Sequence, residues 1–158
     1  MGKRSIKENK TIYQTIREEL GYTREMASEI IGSISPDKLV KIESGITPHA
    51  DDVLAIAEAY KKPVLLNYYC AYECPIGREA VTDIKLTNLA QVTMSLLSSF
   101  NNIRKQQERL IEITADGKVS ADELEDFKKI EAGLDDIQKS IEGIKLWMKN
   151  AEMNNEIK

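Results

Sequence analysis

From Leu86 to Met148 apolar or neutral side chains fall in two long rows with alternating three-four spacing, a pattern that helices bury and sheets do not. The first row is Leu86, Leu89, Thr93, Leu96, Phe100, Ile103, Gln107 and Leu110. The second is Phe127, Ile130, Leu134, Ile137, Ile141, Ile144 and Met148, with Trp147 beside it. Between them, Thr114-Ala115-Asp116-Gly117-Lys118 interrupts the period with turn-forming residues. So short a break predicts that the rows fold back as an antiparallel hairpin, each arm ~40–45 Å long at ~1.5 Å per residue. Ser120 and Glu123 have the spacing of a capping box for the second arm. Residues 80–151 are therefore expected to form a coiled-coil-like hairpin, a dimerisation or partner-binding region, with a polar tail over 152–158 that frays.

Residues 1–79 are patterned differently, as short helical segments separated by Gly, Pro, Ser and Thr. Ile12, Ile16 and Leu20 share one helical face, Thr11 and Gln14 are placed as a capping box, and Gly21 stops the segment. Thr23 is an N-cap for Arg24–Ile31, with Ala27, Ile30 and Ile31 expected inward. Ser35 followed by Pro36 opens a third helix carrying Leu39, Val40 and Ile42, which Gly45 ends. Thr47-Pro48 opens a fourth, with Val53, Leu54, Ile56, Ala57 and Tyr60 as its expected buried side. Pro63 opens a short fifth helix leading into a Cys-containing junction, Asn67–Gly77. The whole chain reads as all-α.

Composition narrows the function classes. The chain has 158 residues and a net charge of −4, so any affinity for nucleic acid must come from local charge. Residues Met1–Arg24 hold such a local excess: Lys3, Arg4, Lys7, Lys10, Arg17 and Arg24 outnumber Glu8, Glu18 and Glu19. No apolar run approaches the ~18–20 residues that span a bilayer, and no leader pattern opens the chain, so a cytoplasmic protein is expected. Catalytic signatures are missing: the sequence offers no glycine-rich phosphate loop, no nucleophile-base pairing and a single histidine, His49. Neither an enzyme nor a cofactor is expected.

Two motifs carry a family resemblance. The run Ile16-Arg17-Glu18-Glu19-Leu20-Gly21-Tyr22-Thr23-Arg24-Glu25-Met26-Ala27 resembles the opening of a Cro/phage-repressor-type (XRE-family) domain. Leu39-Val40-Lys41-Ile42-Glu43-Ser44-Gly45, followed by Pro48, resembles that family's recognition helix and the turn after it. The resemblance covers about residues 11–70 and implies a five-helix, lambda-repressor-like helix-turn-helix domain. From Ala27 to Glu43 the spacing is about two residues longer than is usual in the family, and the surplus falls in the turn Ile31–Pro36. The wider layout (the Ile34-Ser35-Pro36-Asp37 stretch, the Cys70–Gly77 junction, the Asp116-Gly117-Lys118 turn) is similar to a group of helix-turn-helix proteins from anaerobic Gram-positive bacteria.

The resemblance implies a transcriptional regulator that binds double-stranded DNA, with a recognition helix at about Pro36–Ser44. Candidate DNA contacts are Ser35, Asp37, Lys38 and Lys41 on that helix, and Arg17, Thr23 and Arg24 near phosphates. Such domains commonly read two-fold sites as dimers, and the hairpin is the expected homodimer contact. The alternative is an adaptor whose helix-turn-helix fold binds protein instead of DNA. Cys70 and Cys74 would share a helical face and could supply half of a metal shell, while two buried, inert thiols explain the same spacing. Asp116–Glu123 is similar to the second half of a calcium loop, but Glu112 and Thr114 stand where the loop needs Asp or Asn, and a plain inter-helix turn suffices.

Overall fold

A computed structural model describes residues 9–157. Among them the regular elements are helical and no strand occurs. They are α1 (Ile12–Glu19), α2 (Arg24–Ile31), α3 (Pro36–Glu43), α4 (Ala50–Ala59), α5 (Val64–Tyr68), a π-helical turn (Tyr69–Glu73), α6 (Gly77–Ala80), α7 (Leu89–Thr114) and α8 (Leu124–Met153). The described residues up to Asp83, joined by those from Lys149 onward, form one compact unit, and Ile84–Met148 form the other.

In the first unit the local start signals act as their chemistry dictates. Thr11, Thr23 and Ser35 are N-caps whose hydroxyl oxygens accept from the backbone N–H of Gln14, Met26 and Lys38. Gly21, Gly32 and Gly45 have φ of 76°, 77° and 102°, a region costly for a side chain with a Cβ, and each follows a helix end. The enclosed apolar set is Tyr13, Ile16, Ala27, Ile34, Leu39, Ile42, Val53, Ile56, Ala57, Tyr60 and Leu65.

Three expected core positions, Ile30, Val40 and Leu54, are instead exposed. Ile34 takes the inward role on the α2–α3 turn and is only 1% exposed. The reason is local: Gly32 ends α2 in a left-handed conformation, and the chain then dips so that the Ser28 hydroxyl donates to Ile34 O at 2.6 Å. The long turn is thus anchored from within. The fourth helix starts at Ala50 rather than at Thr47, because Asp52 accepts the His49 N–H at 3.3 Å and makes His49 the cap.

At the junction, Gly77 lies against Cys70, where an added Cβ would run into the Cys70 carbonyl. Its N–H reaches Cys74 Sγ at 3.4 Å. α8 continues to Met153, Ala151 is fully buried, and Asn154 Nδ2 donates to Lys61 O at 3.4 Å.

In the second unit α7 and α8 pair antiparallel. The Ser99 and Ser140 hydroxyls are 3.2 Å apart, Ser99 Oγ lies 3.3 Å from Asp136 O, and Arg109 Nε reaches Asp126 Oδ2 at 3.0 Å. Gly133 faces Ile103 and Gln106, and Gly143 faces Val92 and Ile84. The pairing stripe is rotated away from the expected seam. On α7 it contains Val92, Ser99 and Ile113, while Phe100 at 46% and Leu134 on α8 at 50% remain exposed. Small residues explain the rotation: Ser99, Gly133, Ser140 and Gly143 permit closer backbone approach than a row of leucines would. Glu123 takes the Ser120 N–H at 2.9 Å as a capping box requires, yet the helix begins only at Leu124.

Candidate nucleic-acid interface

The helix α3 is held from below by a buried ionic pin. Arg17 in α1 donates from Nε to Glu43 Oε1 at 2.5 Å and from Nη2 to Oε2 at 2.9 Å. Its third contact, Nη1 to Tyr22 O at 2.6 Å, fixes the α1–α2 turn. Arg24 Nε adds a bond of 2.8 Å to Glu43 Oε2. A two-pronged guanidinium-carboxylate pair is among the stronger polar contacts, and its planar geometry orients both partners. The hydrogen bond to Glu43 raises the Arg17 pKa above its ordinary value, against the opposing effect of burial.

This corrects one expected contact and redefines a second. Arg17, 5% exposed, belongs to the domain's interior and cannot serve a phosphate. Arg24 is partly exposed, but its guanidinium is engaged with Glu43. Lys38 is similarly occupied in part, with Nζ 2.7 Å from Asp52 Oδ1 at the start of α4. The Thr23 and Ser35 hydroxyls cap α2 and α3, so both residues place helix N-termini at this surface.

Asp37, Lys41 and Ser44 are exposed, and Val40 lies open between them in sequence. The Ser44 hydroxyl donates to Lys41 O at 2.7 Å and tidies the helix end. On α2 the outward residues are Glu25, Met26, Glu29 and Ile30. The Glu25 carboxyl is held below the ordinary carboxylate range by its own backbone N–H at the helix start, then by the Thr23 hydroxyl. Lys10 is paired with Glu18 at 2.7 Å, and the basic-arm residues Lys3, Arg4 and Lys7 lie outside the described residues.

One functional position was not anticipated. Asp52 is the partner that aims Lys38, and only the capping spacing His49-x-x-Asp52 hinted at its role. Glu43, which the family resemblance implies as a tie from the end of α3 to backbone or a basic residue, gathers both arginines.

Cys70 and Cys74 are free, half-buried thiols. Among the described residues no three His, Cys, Asp or Glu side chains gather as a metal ion requires. Asp116 spends its Oδ1 on the Lys118 N–H at 3.0 Å, as in an ordinary turn. No helix among the described residues is long and apolar enough to cross a membrane.

Comparison with curated proteins and with solved structures finds no match. A helix-turn-helix family model matches residues 14–66, from within α1 into α5. Over residues 14–66, about a third of the chain, the sequence is thus similar to a helix-turn-helix family.

Proposed function

We propose that the chain is a cytoplasmic, sequence-specific transcription regulator, without catalytic activity, that docks α3 in the major groove of double-stranded DNA. The family match over residues 14–66 carries the reading. It is supported by exposed Asp37 and Lys41 on α3 and by exposed Ser35 and Ser44 at its two ends, with the helix pinned from behind by Glu43. In this reading Ser35, Asp37 and Lys41 face base edges, Lys38 reaches a phosphate by leaving Asp52, and the start of α2 at Thr23–Arg24 approaches the backbone through its N–H groups. The chain acts as a homodimer joined through the hairpin, so that two copies read a two-fold site. The narrower likeness to proteins of anaerobic Gram-positive bacteria is part of the same proposal.

One observation favours a second reading. Met26, Ile30 and Val40 are exposed on α2 and α3, with the acidic Glu25, Glu29 and Asp37 on the same two helices. Apolar side chains rimmed by carboxylates suit a basic protein partner better than a phosphate backbone. Selection of bound duplexes from a random pool separates the two. A two-fold enriched site is expected, and an unenriched pool would leave the adaptor reading in its place.

A further inference from the structure

The hairpin keeps large apolar side chains exposed on its outside, while small and polar residues join Val92, Ile113 and Ile130 where its own helices meet. Ser99 and Ser140 touch at its centre, and Gly133 and Gly143 face α7. Leu134, Ile141 and Met148, each one heptad from the next, are exposed along α8, as are Leu89 and Phe100 on α7. On each helix the exposed row follows the contact stripe in the same rotational sense, by roughly a fifth of a turn at ~100° per residue. Equal senses on antiparallel helices bring both rows to one side of the hairpin. That side is a two-helix apolar face within one unit of the molecule.

The charges beside the face specify what covers it. Glu131, Gln138 and Lys145 are exposed on α8, also one heptad apart, and run alongside Leu134 and Ile141. No ion pair within the described chain involves Glu131 or Lys145. The row carries opposite charges at equal distances from Gln138, as an isologous contact requires of a surface that meets itself. An antiparallel approach of two α8 helices about Gln138 sets Glu131 of one copy opposite Lys145 of the other. The same register sets Leu134 opposite Glu142, one residue from Ile141, and Phe127 opposite Lys149, one residue from Met148. A parallel approach would set Glu131 against Glu131 and Lys145 against Lys145, which is repulsive.

We infer that this face is the homodimer interface, a four-helix bundle in which α8 of one copy packs antiparallel on α8 of a second. The inference rests on the dimer part of the reading above and not on its DNA part.

Light scattering and sedimentation of the full chain over a range of concentrations test it, with helix content followed by circular dichroism. Wild type is expected to be a dimer. Leu134→Glu combined with Ile141→Glu is expected to give a monomer of unchanged helix content. Glu131→Lys alone, or Lys145→Glu alone, should weaken the dimer by about tenfold, and the double reversal should restore it. A monomeric wild type overturns both this inference and the dimer reading. A dimer that survives Leu134→Glu with Ile141→Glu overturns this face while leaving dimerisation itself intact. Single reversals without effect, or a double reversal that does not rescue, overturn the antiparallel register.

Discussion

Leu39 on α3 is 1% exposed and Leu134 on α8 is 50% exposed, although both occupy apolar positions of amphipathic helices. Around Leu39 the short helices α1–α5 close on one another and enclose Ile34, Ile56 and Leu65. Around Leu134 two long helices meet along Ile130 and Gly133, and Gln106 Oε1 is left buried without a hydrogen-bond partner. The first unit completes its own core; the second leaves much of its apolar surface exposed. Two helices have only one mutual contact, so an amphipathic hairpin wider than that contact keeps an open edge.

The sharpest way to break this contrast is to cut the pin of the first unit. Glu43→Ala should lower its stability by ~3–5 kcal/mol in urea unfolding, because Arg17 would remain buried without its hydrogen-bonded carboxylate, with only Glu18 at 3.8 Å beside it. Next, Leu39→Ala should cost ~2–5 kcal/mol, whereas Leu134→Ala, measured on dilute monomer, should cost under ~1 kcal/mol. Comparable losses for the two leucines would erase the distinction drawn here.

Within the hairpin, glycines report how close the helices come. Gly133→Ala meets only the flexible end of Gln106 and the tip of Ile103, and should gain up to ~1 kcal/mol from helix propensity in a thermal melt. Gly143→Ala places its Cβ 3.0 Å from a methyl of Val92 and should gain nothing or lose. The smallest effect concerns Asp126, whose carboxyl is held below the usual range by the Lys129 ammonium and then by the Arg109 guanidinium. A depressed carboxylate stabilises the fold above its unfolded pKa and loses that contribution as pH falls through the folded value. Asp126→Asn should therefore lower hairpin stability slightly near pH 7 and flatten its acid limb, so that variant and wild type converge below about pH 4.

Short-range chemistry was legible in the sequence. Thr11, Thr23 and Ser35 announce three helix starts, because a cap needs only its own turn. Ile34 was not, since its burial depends on the left-handed Gly32 turning the chain inward, and hydropathy alone gave Ile30 an equal claim. Arg17 looked like a phosphate contact because its partner Glu43 is distant in sequence, and no local pattern joins them. Periodicity found the apolar faces of α7 and α8 but not which edge of each turns inward. That choice falls to Ser99, Ser140, Gly133 and Gly143, whose small size carries almost no hydropathy signal.

The most direct test of the chain as a DNA-binding regulator is binding to random-sequence duplex DNA as salt is varied, with Lys41→Glu measured beside wild type. Binding at ~50 mM salt that falls steeply with added salt is expected, because each neutralised phosphate releases counterions. Lys41→Glu should bind at least about tenfold more weakly while melting at the wild-type temperature. No binding at ~50 mM salt, or equal affinity for the two proteins, would contradict the docking of α3 on DNA.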